Sequence, residues 1–294
     1  MDFTKLMREE REKARKAKAL STNENSMEGF DLEVKRAQTS IKAESARHPE
    51  EVSTQAFPPF ELLEKAPIRE LRSVKTQGLE GVCYVPDFIT EREEMAMLEQ
   101  TRCPAATWTT LRSRRLQCYG FGDHGHCEMP PWLDKLSEVL VKSDVFPAAF
   151  KPNHALINEY LPGQGILGHT DGPCYVPLVA CISLESSAIL TFSERLAPSE
   201  IGDRPSRVLA KVLLRPRSLV VFQGNAFSHA LHEVAPVSED IVDSSVVNLE
   251  AANAQVGEKI ERRTRVSVTL RTWAAALEQP GPRNNTCLTN TACA

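Results

Sequence analysis

The residues whose types and spacing could do chemistry gather in one stretch, Asn158 to Pro177, with His169-Thr170-Asp171 at its centre. On an extended strand, residues two apart share a face. An imidazole and a carboxylate so spaced aim at one point and can bite a single ion. Two histidines and one carboxylate on one side of a metal, with the remaining positions open, suit Fe(II). A third ligand is offered by F-S-H-A-L-H-E-V, at His229 or His232. An isolated H-x-D arises often by chance, as a surface pair or a hydrogen-bonded core histidine. The surroundings raise the odds of a site. Gly163, Gly165, Gly168 and Gly172 let the backbone turn sharply and approach a ligand closely.

Downstream, T-R-V-S-V-T-L-R carries Arg265 and Arg271 on a strand-like alternation. A guanidinium meets a carboxylate with two parallel hydrogen bonds, which lysine cannot do. Six residues apart on one strand face, the two arginines span roughly 20 Å, and side chains folded inward can approach a dicarboxylate from opposite ends. Asn158 and Tyr160 share a face by the same rule and add an amide and a phenol. The competing reading of the arginines is a solvated edge strand.

A second chemical stretch is T-W-T-T-L-R-S-R-R-L-Q-C-Y-G-F-G-D-H-G-H, where Trp108, Tyr119 and Phe121 interleave with Arg112, Arg114 and Arg115. Such a loop-rich segment can stack bases and neutralise phosphates. It can equally be a hairpin with core aromatics and solvated arginines. His124, His126 and Cys127 lack a fourth ligand at a metal spacing and read as surface residues.

Side chains of this kind need rigid supports. Gly81 to Val85 reads as a strand, and Thr90 with Glu93 forms a capping box that opens a helix through about Arg102. A second helix follows Pro130-Pro131, with Leu133, Leu136, Val139 and Leu140 on one face. Strands are expected over Leu178 to Leu184, Ala188 to Phe192, Val208 to Leu214, Arg217 to Gln223 and Thr264 to Thr272. Many strands without alternating helices after residue 150 predict a mainly β fold with flanking helices, an antiparallel double-sheet jelly roll. Residues 236–261 are polar and weakly patterned, and read as a surface insertion.

A chain of 294 residues can bury a sizeable core, and 41% hydrophobic with 25% charged residues fits a globular protein. The net charge of −4 argues against a uniformly basic nucleic-acid coat. Eight scattered cysteines without C-x-x-C pairs read as reduced thiols. With no apolar run of membrane-spanning length and no hydrophobic leader, the expectation is an intracellular monomer, in the nucleus and/or cytoplasm, without membrane contact. Residues 1–55 read as a charged extension, disordered or helical. Within it, Lys5 to Lys18 mixes seven basic with three acidic side chains, the pattern of a charged tail or of a nucleic-acid-contacting or nuclear-import arm. Residues 56–280 form the folded domain, and 281–294 a polar tail.

These residues carry a resemblance. N-E-Y-L-P-G-Q-G-I, then H-x-D-G-P-x-Y-x-P-x-V, then I-S-L-x-S-S-A-I-L-x-F resembles the AlkB family of Fe(II)/2-oxoglutarate dioxygenases, in its AlkB homologue 6 branch. The likeness runs from about Tyr84 to Trp273. It implies a double-stranded β-helix with His169, Asp171 and His232 as iron ligands. His232 is preferred over His229 because an aliphatic residue, Val234, follows two residues later. It implies that Asn158, Tyr160, Arg265 and Arg271 hold 2-oxoglutarate, with O₂ as co-substrate. The substrate implied is alkylated nucleic acid, DNA or RNA, from which hydroxylation of an N-alkyl group releases an aldehyde; the alternatives are the same chemistry on a protein or small molecule, or a catalytically weak metal-binding module. A flipped base would need aromatic walls, for which Trp108, Tyr119 and Tyr175 are candidates, with Arg114 and Arg115 on phosphates under a substrate-covering lid. Gly168 and Glu233 depart from the family pattern, and a carboxylate at Glu233 could compete for the metal.

Overall fold

The computed structural model describes residues 57–61, 79–122, 125–197 and 206–274. The charged extension, the polar tail, His124 and the side chain of His126 lie outside them. The elements begin with β1 (Val82–Val85), α1 (Glu91–Arg102), β2 (Thr109–Thr110), β3 (Arg115–Gly122), β4 (Gly125–Cys127) and α2 (Pro131–Lys142). A 3₁₀ turn at Ala148–Phe150 leads to β5 (His154–Tyr160), β6 (Ile166–His169), β7 (Tyr175–Leu184), β8 (Ala188–Glu194), β9 (Val208–Leu214) and β10 (Leu219–Gln223). The short α3 (Asn225–Ser228) precedes β11 (Ala230–Val234), β12 (Glu239–Ile241), β13 (Lys259–Glu261) and β14 (Arg265–Trp273).

Among the described residues, two main antiparallel sheets and a two-stranded ribbon, β12-β13, result. The major sheet has the order β1-β10-β7-β14-β5-β3-β2, with β4 on β3, and the minor sheet the order β6-β11-β8-β9. The jelly-roll expectation holds.

Strand alternation builds two main cores, one on each face of the major sheet, beside a small cluster of Leu111, Leu116 and Leu156. Val266, Val268 and Leu270 of β14 and Ala155 and Ile157 of β5 face α1 and α2, meeting Met97, Trp132, Leu133, Leu136 and Leu140. Both helices start as their sequences require. Thr90 Oγ1 accepts from Glu93 N at 3.2 Å while Glu93 Oε2 accepts from Thr90 N at 2.7 Å, and Pro131 opens α2 where no intrahelical donor is needed. On the other face, Val179 and Phe222 of the major sheet interdigitate with Leu190, Phe192, Val212 and Val234 of the minor sheet.

The segment 236–261 is more than a surface insertion. Val242, Val246, Ala252 and Ile260 are buried in the inter-sheet core. Its ends pair as β12 and β13, and Arg262 grips Asp240 through a buried ion pair. Polar residues hide this packing from pattern reading, because they serve the backbone. Asn248 accepts from Leu213 N and donates to Leu213 O, both at 2.9 Å.

Candidate metal and co-substrate site

The site lies between the sheets, where β14 turns polar. Arg265, Ser267, Thr269 and Arg271 alternate with the apolar residues that face the helices, so the polar row faces the minor sheet. Register sets their neighbours. Arg265 stands opposite Tyr160, Ser267 opposite Asn158, and Arg271 opposite His154 on β5. Across from this row, β6 and β11 pair so that His169 and His232 are direct partners.

Among the described residues, His169, Asp171 and His232 form a group whose potential ligand atoms all lie within 4.8 Å of one another. Asp171 is not on the strand: β6 ends at His169, and Gly172, at φ 81°, turns the chain just after the aspartate. That backbone is easy only for glycine. The convergence expected from strand alternation is thus made by a strand end plus a turn. Gly165 has a second, steric role, since a Cβ there would fall 2.2 Å from Val234 O.

Polar contacts orient the three side chains. His169 Nδ1 donates to Leu167 O at 2.8 Å, which leaves Nε2 to face the group. Asp171 Oδ1 accepts from Arg271 Nη1 at 2.6 Å, while Oδ2 is buried, has no hydrogen-bond partner among the described residues, and lies 4.0 Å from His232 Nε2. Burial pushes the His232 imidazole down to about 3, helped by His169, and burial lowers His169 as well. Burial works to raise the Asp171 carboxyl, yet Arg271, His232 and His169 together hold it below its usual value. Two neutral imidazoles and one ionised carboxylate with an idle oxygen fit a divalent cation such as Fe(II).

Around this group, Arg265 is buried at 3% exposure, donates from Nη2 to Ser183 Oγ at 2.9 Å, and has an Nε with no partner among the described residues. Its guanidinium lies 5.7 Å from the Tyr160 ring centre. Arg271 Nε likewise has no partner among the described residues. The solvated edge-strand reading is thereby excluded, since β14 lies inside the major sheet and both arginines are buried. Asn158 Oδ1 accepts from Arg114 Nε at 3.0 Å, so its amide NH₂ is the group left to donate.

Of the two candidate histidines, His232 points inward, whereas His229 sits at the end of α3 with Ser228 Oγ 2.7 Å from its Nδ1. Glu233 occupies the opposite face of β11 from His232, within reach of Gly168, and does not compete for the cation.

The second chemical stretch needs correction. β3 is an internal strand paired with β5, β2 and β4, not a lid. Arg115 and Tyr119 face the helices, away from the histidines. Arg115 binds Glu159 through two hydrogen bonds of 2.6 and 2.9 Å and stacks over Trp108, and Tyr119 is buried in the helix-side core. Trp108 packs against the same core. Arg114 does reach the site side, but at 2% exposure it cannot meet a phosphate backbone. Tyr175 is on the site side as expected, with its ring centre 4.1 Å from the Arg271 guanidinium and 5.1 Å from that of Trp273.

One site residue escaped the sequence reading. His154 lies four residues before Asn158 on the same strand face, and the period-two rule that linked Asn158 with Tyr160 also reaches it.

Comparison with known proteins places this geometry. The 2OG-Fe(II) oxygenase superfamily profile matches residues 71–271. The Danio rerio protein named Probable RNA/DNA demethylase ALKBH6 is 39% identical over 199 residues, 65% of this chain and 84% of that protein. The Mus musculus protein named RNA demethylase ALKBH5 is 30% identical over 150 residues, 49% of this chain and 35% of that protein. The solved structure of OsALKBH1 superimposes with a TM-score of 0.45 at 15% identity, covering 67% of this chain and all of that one. The chain belongs to the 2OG-Fe(II) oxygenase superfamily, enzymes that use Fe(II), 2-oxoglutarate and O₂, and within it to the AlkB family.

Proposed function

We propose that this oxygenase holds Fe(II) with His169, Asp171 and His232 and removes alkyl groups from nucleic acid by oxidation. The observation that carries the metal assignment is Asp171. One of its oxygens is fixed by Arg271, and the other is buried, unpartnered and turned toward two imidazoles kept neutral by burial. Leaving a buried acceptor idle costs about 1–3 kcal/mol, more for a charged group, and a cation removes that cost.

Arg265, with Tyr160 beside it and Asn158 further along the row, would hold the distal carboxylate of 2-oxoglutarate. Arg271 is placed near the metal-facing end. Bound Fe(II) supplies activation of O₂, one oxygen atom going to succinate as CO₂ leaves and the other into a substrate C–H bond. On an N-methyl group the product is a hemiaminal that collapses to the free amine and formaldehyde. The chain's own part is to hold the reactants in register and dry. Buried walls such as Phe192 and Phe222 beside His232 serve that purpose.

The nucleic-acid substrate is supported by the names of the relatives above and by Tyr175 and Trp273 at the site. A folded chain with Fe(II) and 2-oxoglutarate should form succinate, and methylated oligonucleotides should release formaldehyde in step with it. Succinate without formaldehyde from any oligonucleotide would move the substrate to a protein or small molecule. Absence of both would leave a metal-binding module.

A further inference from the structure

Arg271 is held at both ends. Its Nη1 donates to Asp171 at 2.6 Å, and its Nη2 lies 3.4 Å from Nδ1 of His154, which is buried at 3% exposure. A guanidinium only donates hydrogen bonds. His154 Nδ1 must therefore carry the lone pair, and the ring proton sits on Nε2. That nitrogen lies 3.3 Å from Tyr175 Oη and 3.5 Å from Cys118 Sγ, both able to accept. The Tyr175 ring then covers the face of the same guanidinium at 4.1 Å. Three contacts thus fix the Arg271 plane from two edges and one face.

We propose that His154 is a positioning residue for the reaction. It touches no reactant, but it sets the plane of Arg271, and through Arg271 the direction in which Asp171 offers its second oxygen and the arginine meets the co-substrate. Histidine suits this place for an electrostatic reason. A carboxylate at position 154 would compete with Asp171 for the guanidinium and pull it off line. A neutral acceptor holds the far end without that competition. Burial, followed by the charge of Arg271, pushes the imidazole well below its usual range, in keeping with an unprotonated Nδ1 that accepts.

The inference rests on the proposed metal and 2-oxoglutarate site, and the test separates the two. Fe(II) and 2-oxoglutarate are titrated anaerobically into the full chain and into His154→Leu, His154→Asn and His154→Gln, with melting temperature read in parallel. Asparagine places an amide oxygen near the Nδ1 position, while glutamine reaches toward the Nε2 position. With Fe(II) present, the dissociation constant for 2-oxoglutarate should rise on the order of ten-fold in the leucine and glutamine variants. In the asparagine variant it should return to within about three-fold of wild type, although all three lose similar melting temperature. Wild-type affinity in the leucine variant overturns the positioning role, as does an asparagine variant no better than the leucine one. If the leucine protein does not fold, the asparagine–glutamine contrast decides alone. A wild-type chain that binds neither Fe(II) nor 2-oxoglutarate removes the proposed function itself.

Discussion

His169 and His232 are direct cross-strand partners, with ring centres 4.3 Å apart and planes inclined at 50°. Among the described residues, β6 is an edge strand of the minor sheet, joined in it to β11 alone. A cation held by both imidazoles would tie that edge strand to the body of the sheet, and metal binding would then add to stability.

Mn(II), which is redox-quiet, should raise the unfolding free energy by about 2.7 kcal/mol at a concentration one hundred times its dissociation constant. Urea melts with and without the ion measure it. His232→Ala should abolish this gain and all turnover, and His229→Ala should keep both. The opposite pattern would mean that the loop supplies its other histidine.

Asp171 and Arg271 form a buried ion pair, and breaking one side leaves a charge without compensation. Asp171→Ala should destabilise the metal-free protein by about 3–5 kcal/mol. Asp171→Ala with Arg271→Met should recover much of that loss, read by the same urea melts. Additive losses would show that the pair does not couple.

Arg265→Lys keeps the charge and loses the two-pronged donor. The KM for 2-oxoglutarate should rise ten-fold or more, equivalent to at least about 1.4 kcal/mol, while Mn(II) affinity stays within about two-fold. An unchanged KM would remove Arg265 from the co-substrate assignment.

Arg115→Ala probes the discarded lid. Glu159 would lose both hydrogen bonds in a buried setting, at a cost of about 1–3 kcal/mol of stability. Oligonucleotide affinity and its salt dependence should match wild type, because the side chain faces away from the site. A shallower salt slope would restore Arg115 as a phosphate contact.

The metal-free protein should lose stability as pH falls below about 6.5, where an unfolded histidine begins to take up a proton. The folded His154, His169 and His232 resist that proton to lower pH, down to about 3 for His232. In that window the unfolded chain holds more protons, so stability must fall with falling pH. Urea midpoints at pH 7.5, 6 and 5 test this. A flat profile would mean that these imidazoles are open to water.

Much of this was readable in the chain because strand and helix periods expose it. The alternation of T-R-V-S-V-T-L-R separated Arg265 and Arg271 from Val266, Val268 and Leu270, and the structure puts those groups on opposite faces. Thr90 and Glu93 located the first helix by chemistry that is purely local. The failures came where meaning depends on which face of the sheet a residue takes. Arg114 and Arg115 look alike in sequence, yet one enters the site and the other turns to the helices, a difference set by pairing with Asn158 and Glu159 forty-four residues away. His154 escaped for the same reason, since its partner Arg271 is 117 residues downstream.

The Asn248 amide has a meaning for the whole architecture. An open strand edge is a template for unwanted pairing, and β9 ends the minor sheet. There one side chain mimics a neighbouring backbone for Leu213, while Lys211 N reaches Ser245 O and Val247 N reaches Lys211 O. The chain has hemmed that margin with its own polar segment, and the seam lies at the opposite end of the minor sheet from the strand that carries His169. One border of the jelly roll is thereby finished like cloth, at the far end of the sheet from the border given over to chemistry.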